Sequence, residues 1–380
     1  MKQELHVLYI ITKLELGGAQ KVCLSLLNGL EESDVTTSLI ANDQGPLVDA
    51  VKNKPNVILM NSLQREVSAR SLIAEFKCFF ELIKKIKTFK KEHPNLIVHT
   101  HSTKAGILGR WAAYFAGVKK RVHTVHGYAF HAHQSKVVWF AIYFCELLTS
   151  FITTHYVCVS SEDVKTGIKL FPKFAQKHSI IRAAIDTKQF FIPAKHATSF
   201  PQADRTFIFG TIACFKKQKN LFDLLAAFAL VHNQQPDTRL EIIGDGTLRP
   251  QIEKWIKDHT LTEVIALHGW QSSVAPIMIN WHAFVLSSLW EGLPCAIIEA
   301  RLLKLPVLSY NTGGIHDVII PGENGFLYKQ GQWSDLAQGM LTLTRNQPLY
   351  TKLQHYPDDL HDFDTQHMIK EHLELYEKLI

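Results

Sequence analysis

Short apolar runs alternate along this chain of 380 residues with segments long enough to form helices. Runs of strand-forming residues without polar alternation are typical of parallel strands that are buried on both faces. In the first half they are Val7–Ile11, Leu96–Thr100, Val122–Val125 and Tyr156–Val159, and in the second half Phe207–Ile212, Leu240–Ile243, Val264–Leu267, Phe284–Leu286 and Val307–Tyr310. This alternation predicts an α/β fold, and its two series predict two Rossmann-like domains with doubly wound parallel sheets.

The length of the chain also favours two domains, since a single core stops growing at roughly 250–300 residues. A stretch with Pro193, Pro201 and several small polar residues over 190–204 is the predicted linker. We therefore expect one domain over residues 1–195 and a second over 196–360.

The composition indicates a cytoplasmic protein. Apolar residues make up 46% of the chain and charged residues 20%, which is enough apolar material for two cores and too little charge for disorder. The six cysteines form no CxxC pair, as expected for reduced thiols. The first apolar run is too short for a signal peptide, and no run approaches the roughly 18 apolar residues that span a bilayer.

Charge is distributed unevenly between the halves. Residues 1–195 carry 26 Lys and Arg against 15 Asp and Glu, and residues 196–380 carry 15 against 20. Within the basic half, residues 71–91 combine lysines with one apolar stripe: Leu72, Ile73, Phe76, Phe79, Phe80, Ile83, Ile86 and Phe89. Such a helix can lie on an anionic membrane surface, or it can pack on the core with a solvated basic face. Both interpretations stay open, whereas nucleic-acid-binding signatures are absent from the sequence.

Two features of the first half are candidates for ligand binding. Gly17 and Gly18 lie between a strand and a helix, where free backbone N–H groups favour an anion. They do not form a GxGxxG motif, which disfavours a nicotinamide dehydrogenase. His126 follows a strand, at the edge where ligands bind in such sheets. Other histidines come in pairs two residues apart without accompanying carboxylates, so no metal site is predicted: His99, His101, His131 and His133.

The second half carries further candidates. Gly244 opens an anion-compatible turn after a strand, and Lys216 and Lys219 follow the strand that ends near Ala213. Glu291 lies in a Gly/Pro loop, and Glu299 follows within the next predicted helix among apolar neighbours. A buried carboxylate needs a partner, which for Glu299 is either a ribose diol or a salt bridge to Arg301 or Lys304.

Taken together, these motifs resemble the family 4 (group 1) retaining glycosyltransferases of GT-B fold, over essentially the full length of the chain. The matching segments are Gly17–Gln20, His101–Arg110, His123–Gly127, Lys219-Asn220, Gly244–Gly246, the Glu291/Glu299 pair with seven residues between, and Asn311–Gly314. The resemblance implies two domains that face each other across a cleft holding the active site. It also implies that the last segment, 361–380, forms a helix that returns to the first domain.

The same resemblance implies roles for individual residues. Glu299 is expected to bind the nucleotide ribose, Glu291 the donor-sugar hydroxyls, and Lys219 the diphosphate. Gly17 and Gly18 are expected to approach the diphosphate, and His126 the donor sugar near the reacting carbon. Backbone N–H groups at the start of the Glu299 helix are expected to contact the phosphates, from the segment comprising Gly292, Leu293, Pro294 and Cys295. Cys214 stands where the family has a cation, and Lys216 is the candidate replacement.

The implied reaction is front-face attack on a nucleotide sugar without a metal, with the departing diphosphate taking the acceptor proton. The resemblance to the family favours a UDP-linked hexose or N-acetylhexosamine as the sugar donor. The basic half favours a lipid-linked or polysaccharide acceptor on the inner face of a bacterial membrane, with Tyr128 and Phe130 as candidates for the acceptor side. A UDP-sugar 2-epimerase and a non-catalytic sugar-nucleotide binding protein are the alternatives.

Overall fold

The computed structural model describes residues 5–30, 35–64, 72–190, 200–201, 206–357 and 360–380. The chain forms two compact units, the first comprising Met1–Ile185 with His361–Ile380 and the second Asp186–Leu360. The end of the predicted first domain, at residue 195, and most of the predicted linker lie in 191–199 and 202–205, outside the described residues.

The first unit is built on a seven-stranded sheet in the order β3-β2-β1-β4-β5-β6-β7, and every pair of neighbours is parallel. Two adjacent strands in the middle of the sheet, Leu5–Ile10 and Leu96–His101, are buried at all six positions, because helices cover both faces. The strands are β1 (Leu5–Ile10), β2 (Val35–Ala41), β3 (Val57–Leu59), β4 (Leu96–His101), β5 (Lys120–Val125), β6 (His155–Cys158) and β7 (His178–Ile180). The connecting helices are α1 (Gly18–Gly29), α2 (Leu72–Glu92), α3 (Thr103–Phe115), α4 (Lys136–Ser150) and α5 (Ser161–Leu170).

The second unit repeats this architecture with a six-stranded parallel sheet in the order β10-β9-β8-β11-β12-β13. Its strands are β8 (Phe207–Ile212), β9 (Thr238–Ile243), β10 (Ile265–Gly269), β11 (Ala283–Leu286), β12 (Val307–Tyr310) and β13 (Gly325–Tyr328). Its helices are α6 (Leu221–Gln234), α7 (Arg249–Asp258), α8 (Ala275–Met278), α9 (Cys295–Leu302), α10 (Trp333–Arg345) and α11 (Gln347–Gln354). The predicted fold class, two doubly wound parallel sheets, is thereby confirmed.

The last helix, α12 (Thr365–Leu379), packs on α1 in the first unit. Asp364 caps its N-terminus by accepting a hydrogen bond from the Gln366 amide, and the backbone of Asp364 bridges to Ile185. At the other end, Tyr376 bonds to the hydroxyl of Tyr9 at 3.1 Å and to His99. These contacts tie the chain terminus to the centre of the first sheet. Among the described helices of the protein, none is long and apolar enough to cross a membrane.

A buried ion pair joins α3 to α4 in the first unit. The guanidinium of Arg110 donates to Glu146 at 2.7 Å, and both side chains are almost fully buried. Arg110 also donates to the Gly106 carbonyl and to the Thr153 hydroxyl. A charge that is removed from water needs such partners, because an unpaired buried ion is strongly destabilising.

We predict that Glu146→Ala lowers the free energy of unfolding of the first unit by about 3–5 kcal/mol, because Arg110 would remain buried without its counter-ion. Glu162→Ala is the matched control, since its pair with Lys165 is exposed and surface pairs contribute about 0–1 kcal/mol. Denaturant titration followed by fluorescence measures both changes. Equal effects of the two substitutions would contradict the prediction.

Candidate functional site

Two loops meet in the second unit at the point where the strand order reverses, between β8 and β11. Lys219 follows β8, Glu291 follows β11, and the Lys219 ammonium donates to Glu291 Oε1 at 2.5 Å. The second oxygen of Glu291 accepts a longer hydrogen bond, 3.4 Å, from the Gln218 amide. Ligands bind at such reversal points in open α/β sheets. The structure therefore brings together two of the residues that the sequence singled out.

Backbone contacts lock these two loops to each other. The Leu289 amide donates to the Gln218 carbonyl at 2.8 Å, and the Gln218 side chain donates back to the Trp290 carbonyl at 2.7 Å. The Ser287 hydroxyl donates to the Lys219 carbonyl. Because each loop supports the other, Lys219 and Glu291 are held in place before any ligand arrives.

Gly313 supports the backbone of Glu291 from the next loop. Its φ is +54°, and a Cβ on it would lie 2.0 Å from the Glu291 carbonyl oxygen, so only glycine fits. The amide of Gly314 donates to the carbonyl of Gly292 at 2.6 Å. The segment from Gly292 to Pro294 is buried and leads directly into α9, with Pro294 as its N-cap and Cys295 as its first residue.

Glu299 lies in the middle of α9 and is buried, as the sequence predicted. The two cations that were weighed as its partners have hydrogen bonds to backbone carbonyls. Arg301 donates to the carbonyls of Leu305 and Asn324, and Lys304 donates to that of Tyr356. These contacts leave both interpretations of Glu299, the ribose and the salt bridge, open.

The turn at Gly244 packs against the loop after β8. Gly244 has a φ of +125°, and a Cβ there would come within 2.1 Å of the Ala213 carbonyl oxygen. The Phe215 amide donates to the Asp245 carbonyl at 2.8 Å, next to the half-buried Lys216. Glycine is therefore required here for the close approach of two backbones, and both loops lie at the same edge of the second sheet.

In the first unit, His126 follows β5 and bonds to a histidine at the end of β4. Nδ1 of His101 lies 3.0 Å from Nε2 of His126. Burial, followed by the proximity of His372, lowers the pKa of His126 to about 3, and burial also holds the pKa of His101 well below its usual range. Both imidazoles are therefore neutral near pH 7, and one hydrogen is shared between the two facing nitrogens.

Two arrangements of that hydrogen fit the pair. Nε2 of His101 is buried and has no hydrogen-bond partner among the described residues, so neither tautomer of His101 satisfies that atom. In one arrangement His101 donates from Nδ1, His126 accepts at Nε2, and His126 carries its own hydrogen on Nδ1, where it can donate to a ligand.

The glycine loop of the first unit lies at the equivalent reversal of strand order, between β1 and β4. Gly17 is the extended N-cap of α1, and Gly18 is its first residue. The hydroxyls of Thr12 and Ser102 lie 3.2 Å apart and join this loop to the loop after β4. His101 precedes Ser102, so the loop with Gly17 and the histidine pair belong to the same edge of the sheet.

The other expected features have different outcomes. His99 bonds to Tyr376 and Thr124, and among the described residues the groups close enough to share a metal ion are His361, Asp362 and His367. The expectation that Phe130 lines an acceptor site is wrong, because its ring is buried against Tyr128 and Trp139. Two positioning residues, Gln218 and His101, were not assigned roles from the sequence.

Comparison with known proteins identifies the family. Residues 195–357 match the family described as Glycosyl transferases group 1, and residues 16–189 match Glycosyltransferase Family 4. A UDP-Gal:alpha-D-GlcNAc-diphosphoundecaprenol alpha-1,3-galactosyltransferase of Escherichia coli is 31% identical over 88% of this chain and 86% of its own length. The capsular polysaccharide biosynthesis glycosyltransferase CapM of Staphylococcus aureus is 24% identical over 78% of this chain and 79% of its own length.

Solved structures agree on the fold. The Anabaena protein HepE in complex with UDP has a TM-score of 0.80 at 15% identity, over 98% of this chain and 100% of its own. The two Rossmann-like units thus define a glycosyltransferase of the GT-B fold class. The chain belongs to the family 4 (group 1) glycosyltransferases.

The buried histidines make the first unit sensitive to acid. Burial lowers the pKa of His372 to about 4. As the pH falls through about 6.5, His372 is protonated in the unfolded chain but stays neutral in the folded chain. Stability is therefore complete above pH 6.5 and lost as the pH falls, by about 2 kcal/mol at pH 5 for His372 alone. Hydrogen exchange of the α12 amides, corrected for intrinsic rates, measures this loss.

His372→Leu should reduce this pH dependence, whereas the exposed His355→Leu should leave it unchanged. Protection of α12 that stays constant between pH 7.5 and pH 5 in the unsubstituted protein would refute the assignment of neutral buried histidines.

Proposed function

We propose that this glycosyltransferase transfers a hexose or N-acetylhexosamine from a UDP-sugar, with retention, to a lipid-linked glycan in bacterial cell-surface polysaccharide synthesis. The similarity to the E. coli galactosyltransferase, whose name specifies a UDP-Gal donor and a diphosphoundecaprenol-linked acceptor, supports both substrate classes. Structural neighbours in complex with UDP, such as HepE, support the donor base.

The observation that carries the proposal is the salt bridge between Lys219 and Glu291 at the strand reversal. An ammonium group has three N–H donors, and Glu291 occupies one of them. The others can bind a diphosphate, whose negative charge grows as it departs. Glu291 is held beside that position with both oxygens accepting hydrogen bonds from the protein. This favours a role in binding sugar hydroxyls over nucleophilic attack.

The remaining donor contacts follow from position. Glu299 is the fifth residue of α9, where its carboxylate can accept hydrogen bonds from both hydroxyls of a ribose. The segment from Gly292 to Cys295 at the start of α9 supplies backbone N–H groups, which together with the helix dipole favour a phosphate. Lys216 supplies the cation that the family has at the position of Cys214. In the first unit, Gly17 and Gly18 are the proposed source of backbone N–H donors for a phosphate.

His126 is the proposed donor-sugar contact in the first unit. With its hydrogen on Nδ1, the neutral ring donates a hydrogen bond to the donor sugar. The reaction needs stabilisation of an oxocarbenium-like sugar and of the leaving diphosphate, which receives the acceptor proton. In this proposal the chain supplies fixed donors for both tasks, and no metal ion takes part.

The proposed location is the inner face of the cell membrane, with peripheral attachment. The positive charge of residues 1–195 supports attachment to anionic lipids. The two alternatives, a 2-epimerase and a binding protein, differ in products. A transferase releases nucleotide when an acceptor is present, an epimerase forms a new sugar isomer, and a binding protein does neither.

We predict that UDP raises the melting temperature of the protein, whereas GDP, ADP and NAD do not, and that EDTA leaves the shift unchanged. Glu299→Ala should weaken UDP binding about ten- to a hundredfold, because about 1.5–3 kcal/mol is lost with a charged hydrogen-bond acceptor. Glu291→Ala should mainly lower turnover. Thermal shift and release of UDP measure these effects, and unchanged rates in both variants would reject the site.

We further predict that His101 acts as a positioning residue. His101→Leu removes the hydrogen bond that fixes the His126 tautomer and should lower kcat about ten- to a hundredfold with little change in KM for the donor. His101→Asn restores an N–H near Nδ1 and should recover part of the rate. If the leucine and asparagine variants have the same kcat, His101 fills space and does not orient His126.

A further inference from the structure

The polarity of α4 is inverted relative to an ordinary surface helix. Its buried polar residues are Glu146, Thr149 and Ser150. Its exposed positions after Lys136 are apolar, and the large ones are 44–80% exposed: Val137, Val138, Phe140, Phe144 and Leu148. Phe151, directly after the helix, is 69% exposed. A helix on a water-facing surface normally presents charged and polar residues on its outer side.

This orientation is fixed by specific contacts on the inner side of α4. Glu146 holds the buried Arg110, and Thr149 accepts a hydrogen bond from the Trp111 indole at 3.0 Å. Trp139 and Tyr143 stack on each other and pack against the buried Phe130. Rotating the helix to bury its apolar stripe would break the ion pair, so the apolar side is held outward.

The exposed apolar surface continues onto α3, which contacts α4, and onto α2, which contacts α3. Phe79 of α2 and Phe115 of α3 are in edge-to-face contact at 6.1 Å, which places α2 beside α3. The stripe expected on α2 divides in two. Ile86 of the stripe is buried in the core together with Cys78 and Leu82, which the stripe did not include, whereas three of its large apolar residues are exposed: Ile73, Phe76 and Phe80. Phe115 and Tyr114 are also exposed. We call the exposed apolar residues of α2, α3 and α4, with Phe151, the apolar face.

Exposed lysines accompany the apolar face. On α2 they are Lys77, Lys84, Lys87 and Lys91, and Lys119 and Lys136 lie next to α3 and α4. The arrangement combines aromatic side chains that can enter the acyl boundary with cations that can bind anionic headgroups. A second copy of the chain is a poorer partner, because pairing two such faces would bring lysines of like charge together.

We infer that the apolar face, which runs from α2 across α3 to α4, inserts into the surface of an anionic lipid bilayer. The α4 helix has too few residues to span the membrane, so it lies in the plane of the interface with its aromatic side chains below the headgroups. This deepens the proposed function, in which the acceptor is lipid-linked, by naming the surface that meets the membrane. It also extends the membrane contact beyond residues 71–91, with α4 contributing the larger apolar surface.

The test is flotation of the full chain with vesicles of phosphatidylglycerol and phosphatidylethanolamine, without any nucleotide. The unsubstituted protein should float with these vesicles and much less with pure phosphatidylcholine. Phe140→Ser combined with Phe144→Ser should lower the partition coefficient at least tenfold, because two aromatic anchors are lost. Lys84→Glu combined with Lys87→Glu should weaken binding mainly at low salt, where headgroup attraction is greatest.

The matched control is Trp270→Ser with Ile320→Ser, which removes two apolar residues of similar exposure from the second unit and should leave flotation unchanged. Equal flotation of the α4 variant and the unsubstituted protein would overturn the inference. So would light scattering that shows a dimer converted to a monomer by the α4 substitutions, which would assign the face to a second copy.

The failure of the two proposals can be told apart. UDP release with a detergent-dispersed, lipid-linked acceptor tests the reaction without a bilayer. Activity there without flotation would overturn the membrane face and the peripheral location, and would leave the proposed reaction intact. Flotation without UDP binding would support the membrane face and reject the proposed function.

Discussion

Reversal of the strand order within each parallel sheet is the constraint on which the site residues depend. In the second sheet the order turns between β8 and β11, so the loops after these strands meet above their carboxyl ends and bring Lys219 to Glu291. In the first sheet it turns between β1 and β4, where Thr12 and Ser102 join the glycine loop to the loop after His101. Elsewhere in the sheet the connections from neighbouring strands run to the same side, whereas at the reversal they run to opposite sides and leave a crevice at the strand ends.

The loops at these points are supported mainly by backbone contacts. Glu291 is held from one side by Lys219 and Gln218, and from the other by the close approach of Gly313 to its carbonyl. The His126 ring is oriented by a neighbour that is fully buried. Fixed groups of this kind need no reorganisation when charge develops on a leaving diphosphate, which is the main source of electrostatic stabilisation in enzymes. The family motifs are therefore as much about supporting residues, such as Gly313, as about those that would touch substrate.

Much of the fold could be predicted from the sequence, and the errors have physical causes. All nine predicted strands are present, because central parallel strands are continuous apolar runs. The missed strands β3, β7 and β13 are short and lie at sheet edges, and the missed strand β2 has three consecutive polar residues, Thr36, Thr37 and Ser38. The stripe on α2 was partly wrong, since Phe76 and Phe80 were assigned to one face with Ile86 although only Ile86 is buried. The pairing of His101 with His126 requires the adjacency of β4 and β5, which no local pattern reveals.

The apolar face shows why hydrophobicity alone could not assign α4. Its sequence, KVVWFAIYFCELLTS, suggests a core helix, and the polar residues that determine its orientation are few. Glu146 faces inward because Arg110 is buried there, and this ion pair keeps Phe140 and Phe144 on the outer side of the helix. A buried ion pair seldom adds much stability compared with apolar residues of similar size, but it does specify one orientation. In this helix that specificity matters for the proposed membrane contact. If apolar residues replaced the ion pair, the helix could be equally stable with Phe140 and Phe144 turned into the core. No apolar surface for lipid would then remain.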